Sequence, residues 1–272
     1  MNSPIIAYRA NMGVQTTAPF INTYSLSFDG VDDYINIGNG VSFEYTDSFS
    51  YSFWVKPDAV SGVKYLYSKY ISGKGILMYF NSSGGATPAA ISFNIYNTNS
   101  GSTATRKRIT TTTGNILTKG VWNNIVITYD GSGLGSGIKL YKNGASQTVT
   151  VTQDNLQNQT IVNNNDAYLS SSSGASAFLA GNQDEFAIFN TELSSADALD
   201  IYNGGEPTDL TDLSPIAWYR MGDNGAYKSP QWLLPNNENK DKVSNYSLDF
   251  DGVDDYVDCG NGALDITGSI TL

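Results

Sequence analysis

The sequence predicts an all-β fold: a two-sheet antiparallel jelly-roll sandwich with one short helix, followed by the start of a second copy. Three observations carry this. Between Tyr24 and Phe189, short runs alternate apolar and polar residues with a period of two, the mark of a strand with one buried face. Gly, Asn, Ser and Asp interrupt those runs every 8–15 residues, a turn spacing that suits a sandwich or jelly roll. A 17-residue stretch, YSLSFDGVDDYINIGNG from Tyr24, returns as YSLDFDGVDDYVDCGNG from Tyr246 with 13 positions identical.

The elements follow in chain order. FSYSFWVK sets Phe49, Tyr51, Phe53 and Val55 on one face and Ser50, Ser52, Trp54 and Lys56 on the other. Tyr65–Lys69, Ile76–Phe80, Ile91–Tyr96 and Arg108–Thr113 are further candidate strands. WNNIVITYD alternates again through Ile125, Ile127 and Tyr129. Asn143-Gly144 stands between two β-rich runs. That pair tolerates the positive φ of a type I′ turn, so it predicts a hairpin. Glu185–Phe189 is the last strand of the first copy.

LSSADALDIYNGG predicts the helix, near Ser195–Tyr202. Ser194 caps it, Asp197 completes a variant of the capping box, and Gly204 and Gly205 end it. EPTDLTDLSP, from Glu206, has no apolar period and predicts a linker. PIAWYRMGDNG, from Pro215, then echoes PIIAYRANMG, from Pro4. The expected organisation is therefore one complete module over 1–205, a linker over 206–214, and the first part of a second module over 215–272. Roughly 200 residues bury about 70–75% of the unfolded surface, enough for a core without staples. The second copy offers strand patterns at Ile216–Arg220, Tyr246–Phe250, Tyr256–Cys259 and Ser269–Leu272 but none of their later partners. Further chain, or strand addition from a neighbour, is expected to complete it.

Composition removes several function classes. The chain has no histidine, which excludes the Ser-His-Asp triad and the usual zinc ligands. Its net charge of −11 argues against nucleic-acid binding; the one basic run, Arg106–Arg108, lacks interleaved aromatics. Cys259 is the only cysteine, so no intramolecular disulfide forms. In the second copy it stands where the first has Ile37, a small apolar residue. No apolar run approaches the roughly 20 residues of a membrane span, and no secretory leader is visible. The expectation is a soluble protein made in the cytosol.

Four segments together resemble the laminin-G-like branch of the concanavalin A-like lectin/glucanase superfamily: LSFDGVDDYINIG, FSYSFWVK, WNNIVITYDGSG with IKLYKNG, and DEFAIFNTELSSADALDIYNGG. They stand in the family's order and cover residues 24–205. The resemblance implies a concanavalin A-like jelly roll. The glucanase branch carries an E-x-D-x-x-E strand that sets two carboxylates on one face. Nothing here matches it, and the chain has five glutamates in all, so no enzyme activity is expected. The inter-repeat stretch AWYRMGDNGAYKSPQWLLPNNENKDKVSNYSLDFDGVDDY also resembles segments of repetitive structural proteins of marine bacteriophages, cyanophages in particular.

Two groups of residues are candidate sites. Asp29, Asp32 and Asp33 offer three carboxylates within five residues, donors of the kind calcium requires. Asp184 on the closing strand is within reach, because first and last strands are neighbours in this family. The alternative is turn chemistry, with the carboxylates accepting backbone N–H groups. Trp54, Tyr65, Tyr67 and Tyr70 are candidate platforms for sugar rings, against the alternative of core and sheet packing. The tyrosines of KYLYSKY alternate, which places Tyr65 and Tyr67 on one face and Tyr70 at a rim. The first expectation is a non-catalytic virion structural or adhesion protein, a capsid decoration, fibre or tail component. Its partners would be other virion proteins, copies of itself, or cell-surface glycan. The alternative is a carbohydrate-binding module of a bacterial surface or secreted protein.

Overall fold

The computed structural model describes residues 20–82, 89–97, 108–156 and 159–222. Strands β1 (Leu26–Asp29), β2 (Ile35–Gly38), β3 (Phe49–Pro57), β4 (Gly62–Ile71), β5 (Lys74–Ser82), β6 (Ala89–Asn97) and β7 (Arg108–Leu117) are followed by β8 (Asn123–Tyr129), β9 (Ile138–Lys142), β10 (Ala145–Gln147), β11 (Val149–Asp154), β12 (Ala167–Leu169), β13 (Ala180–Phe189) and β14 (Ala217–Tyr219). Helix α1 spans Ser195–Tyr202. The first sheet runs β1-β13-β3-β8-β9-β10, with β14 also on β13; the second runs β11-β7-β6-β5-β4-β12-β2. All of these pairings are antiparallel. This is the two-sheet jelly roll that the alternation predicts.

Period-two burial builds the core. Phe49, Tyr51, Phe53 and Val55 of β3 face inward with Ile125, Ile127 and Tyr129 of β8 and Phe186 and Ile188 of β13. Met78, Phe80, Ile91, Phe93 and Ile95 meet them from the second sheet. The centre is aromatic: Phe186 lies 5.7 Å from Phe53, 5.7 Å from Tyr67 and 6.2 Å from Tyr51 between ring centroids. At one end, the Tyr129 hydroxyl donates to the Tyr45 carbonyl at 2.7 Å and accepts the Gly133 N–H at 2.7 Å. Burial pushes that hydroxyl up to about 12.

The local signals form as expected. Ser194 accepts the Asp197 N–H and Asp197 returns the bond to the Ser194 backbone, a complete capping box, and Asn203 ends α1 in the left-handed region. Asn143 and Gly144 both carry positive φ, 51° and 74°, between β9 and β10. Helix α1 covers part of the first sheet's outer face, where Ala198 and Ile201 pack on Val126, Tyr141, Ala187 and Phe189. Leu210 joins the same cluster and is 2% exposed. The segment that reads as a linker is thus anchored on the sandwich.

Two features depart from simple alternation. A bulge between Tyr65 and Tyr67 opposes β5, where Tyr65 faces Tyr79 and Tyr67 faces Met78. It turns Tyr65 outward and Tyr67 into the core, so the two do not share a face. The second is β14. It pairs with Phe186–Ile188 on the same edge of β13 that β1 occupies at Ala180–Gln183. Residues assigned by the repeat to the second copy therefore complete a sheet of the first sandwich. The other strands expected of that copy lie outside the described residues, as do Arg106 and Lys107.

Gly75 shows how tightly the start of β5 is set. It lies opposite both Tyr70 and Tyr96 at φ +119°, and an added Cβ would overlap the Lys69 carbonyl oxygen and come within 2.7 Å of Asn163 Nδ2. Gly75→Ala is expected to cost on the order of 1–3 kcal/mol from the backbone alone, measurable as a lowered urea midpoint.

Candidate functional site

On the outer face of the first sheet, β13 and β3 place Asp184 directly opposite Trp54. Trp122 enters from the residue preceding β8. These three side chains, with the segments Asn22–Ser25 and Gly205–Pro207, line a cavity of about 320 Å³. The size falls within the range of small-ligand sites. Gly205–Pro207 reach it because the chain reverses after α1, with positive φ at Asn203, Gly204 and Gly205.

Each side chain is held. Trp54 is 5% exposed and stacks on Tyr202 with centroids 6.0 Å apart. Trp122 is half-buried, with Lys56 Nζ 5.5 Å from its ring centroid. Asp184 is 3% exposed; its Oδ2 accepts Asn22 Nδ2–H at 2.9 Å and its Oδ1 accepts the Glu185 N–H at 2.8 Å. The cavity thus combines two indole rings, one oriented carboxylate and the exposed Glu206 at its edge. Flat apolar rings beside hydrogen-bond acceptors are what a polyhydroxylated ring needs: stacking for its C–H face and acceptors for its hydroxyls.

Next to it lies a second polar cluster. Glu185 is 2% exposed and sits in the β13 bulge at φ 48°. It accepts hydrogen bonds from Asn22 Nδ2 at 2.8 Å, from Trp218 Nε1, and from Arg220 Nε at 3.1 Å. Three donors, one of them its ion-pair partner Arg220, commit this carboxylate to structure.

The residues singled out from the sequence fall in four places. Trp54 lines the cavity. Tyr67 does not reach any surface: it is 1% exposed, wedged between Tyr51 and Phe186, which removes it as a sugar platform. Tyr65 and Tyr70 lie on the outer face of the second sheet, against Tyr79 and Tyr96 at 5.3 and 5.1 Å. Asn94, between those pairs, is fully buried, and both its amide atoms lack a partner. Asp29, Asp32 and Asp33 cluster, exposed, with carboxylate oxygens within 4.8 Å of one another. Two of them already serve the turn: Asp33 Oδ2 accepts the Asp29 N–H at 2.9 Å and Asp29 Oδ1 accepts the Val31 N–H at 2.7 Å. Asp184 is not part of that cluster. Asp29 pairs with Ala180, and four further residues of strand put Asp184 roughly 13 Å along. Asn22, Tyr24, Glu206, Glu185 and Arg220 are missed by sequence reasoning. The one signal pointing to any of them is Arg220, which recurs as Arg9 in the repeated PIxxYR segment.

Residues 29–198 match a family model described as the concanavalin A-like lectin/glucanases superfamily. No curated protein matches the chain in sequence. Among solved structures, a proposed carbohydrate-binding protein from Bacteroides ovatus superposes with a TM-score of 0.50 at 14% identity, over 73% of this chain and 52% of that one. Domain 4 of AbnA, an extracellular arabinanase from Geobacillus stearothermophilus, solved with arabinotriose, gives a TM-score of 0.45 at 16% identity, over 65% and 76%. The receptor-binding domain of a botulinum neurotoxin mosaic serotype C/D gives 0.42 at 17% identity, over 59% and 37%. The chain thus spans about half of the Bacteroides protein and about a third of the neurotoxin domain. Among the described residues, no helix is long and apolar enough to cross a membrane.

Proposed function

Because the chain belongs to the concanavalin A-like lectin/glucanase superfamily, we propose that it is a carbohydrate-binding module that acts without catalysis, on a surface or outside the cell. One observation carries this reading: the cavity of about 320 Å³ in which Trp54, Trp122 and Asp184 converge. The half-buried Trp122 ring stacks on a sugar face, Trp54 on Tyr202 backs the cavity wall, and Asp184 accepts the sugar's hydroxyls. Asn22 holds that carboxylate in place, so little side-chain ordering remains to be done on binding. Glycoside hydrolysis needs two carboxylates flanking the scissile bond. Glu185 is withdrawn from that role by Arg220, Asp184 is fixed by Asn22 and the Glu185 N–H, and Glu206 stands exposed at the cavity's edge.

The test is a glycan array followed by calorimetry. Trp122→Ala is expected to weaken binding by roughly tenfold or more, the effect of losing an aromatic anchor, while Tyr70→Ala leaves it unchanged. The opposite pattern would move the ligand to the second sheet. Release of reducing sugar by the wild type but not by Asp184→Asn would overturn the non-catalytic part. A place on a virus particle rests on the repeat, the cysteine count, the N-terminal composition and the inter-repeat segment, and has no support among the comparisons. Mass spectrometry of purified particles would supply it.

Calcium at Asp29, Asp32 and Asp33 is the accompanying proposal, supported by three oxygens within 4.8 Å. Calcium takes six to eight, so loop carbonyls and water would complete the shell. Excess calcium is expected to raise the melting temperature and EGTA to reverse it. Neither turn hydrogen bond uses Asp32. Asp32→Asn should therefore abolish the calcium-dependent rise yet change stability in EGTA by no more than about 0.5 kcal/mol. A melting curve indifferent to calcium would leave the three aspartates as turn formers.

A further inference from the structure

Glycan binding leaves the Glu185 cluster unused, and that cluster is built around an incoming strand. Glu185 takes Trp218 Nε1–H and Arg220 Nε–H, both from β14 or the residue that follows it. The Arg220 guanidinium stands 4.2 Å from the Phe20 ring centroid and 5.1 Å from that of Trp218. Beside it, the backbone of β13 pairs with Ala217, Trp218 and Tyr219, and Ile216 N–H reaches the Ile188 carbonyl at 2.8 Å. Ala217 and Tyr219 pack on the main core and Trp218 on the outer cluster. This edge therefore reads a strand with an inward aromatic residue followed by arginine.

The strand that satisfies it opens the second repeat, and its counterpart opens the first. In PIIAYR and PIAWYR, Pro4, Ile5, Tyr8 and Arg9 match Pro215, Ile216, Tyr219 and Arg220. We propose that the Glu185–Phe189 edge of β13 is a strand-acceptor site for an x-Tyr-Arg segment, and that Ile6–Arg9 is a second ligand for it, delivered to the acceptor of another copy of this fold. Repeats then join head to tail by strand addition, each sandwich closed by the segment that opens the next. Matched residue for residue, Ile6 stands for Ala217, Ala7 for Trp218, Tyr8 for Tyr219 and Arg9 for Arg220. Ala7 supplies no indole, so this ligand is weaker than β14, which holds the acceptor within its own chain. The proposal is independent of the glycan reading.

The test uses the full chain with β14 weakened by Trp218→Ala and Arg220→Ala, and with Arg9→Ala to silence its own competing segment. A fluorescein-labelled peptide, PIIAYRANMG, is titrated and followed by anisotropy. Saturable binding to this variant is expected, with binding to wild type weaker by about tenfold or more because β14 fills the site. A peptide with alanine for its arginine should lose about tenfold or more, as befits a charge-assisted hydrogen bond. Should the triple variant fail to fold, the Arg9→Ala/Trp218→Ala chain, which keeps the Glu185–Arg220 pair, is read by the same criteria. Equal binding to wild type, indifference to the peptide's arginine, or no saturable binding to either variant overturns the proposal.

Discussion

Arg220→Met is expected to destabilise the protein by about 3–5 kcal/mol, because it removes one partner of a buried ion pair and leaves the other charged. Side-chain exposure is 9% for Arg220 and 3% for Glu185, so water cannot take over the lost contact. Asn22 and Trp218 still donate to Glu185, which favours the lower end of that range. The informative variant is the double one. Glu185→Gln in the Arg220→Met background removes the stranded charge, so the two losses should fall short of additivity by roughly 1–3 kcal/mol. Urea unfolding of the four proteins measures this. Losses that add within about 0.5 kcal/mol would mean that the pair carries no coupling and that Arg220 acts through its ring contacts and its hydrogen bond to the Ile21 carbonyl.

Phe186→Ala should cost about as much, roughly 3–5 kcal/mol, through a different mechanism. Its ring is fully buried, nearly parallel to Tyr67 at 14° and to Phe53 at 22°. Deletion leaves a void among side chains from both sheets, and three large aromatics cannot close it without leaving their rotamers. For a domain of this size the melting temperature should drop by about 10 °C or more. Phe186→Leu should lose much less. Equal losses for the two variants would show that the void, and not the ring, is unimportant.

The architecture was legible because its signals are local. Ser194 and Asp197 announce the helix start, Asn143-Gly144 announces a hairpin, and Phe49 to Val55 announce an inward face; each needs only neighbouring residues. The site was legible in part. Trp54 reads as a candidate, but its setting depends on Gly205–Pro207 and Asn22–Ser25, which meet only after the sandwich closes. Two errors share one cause. Alternation put Tyr65 beside Tyr67, and strand adjacency put Asp184 beside Asp29. A bulge of one residue reverses the first, and the pairing of Asp29 with Ala180 decides the second. Register is a property of two strands together, so neither strand's sequence alone states it.

The double use of one β13 edge also bears on synthesis. On the ribosome β1 and β3 emerge long before β13, yet among the described residues β1 has no other partner in the sheet and β3 has only β8 besides. The meander from β4 to β7 pairs neighbour with neighbour and can assemble while translation continues. The first sheet cannot close until Phe189 has left the exit tunnel, and its last piece waits for Tyr219. Through that interval the apolar faces of both sheets stand open, with the long-range contacts that slow folding still unmade. The yield of this protein in a foreign host should accordingly respond more to elongation rate and chaperone supply than to the stability of the finished sandwich.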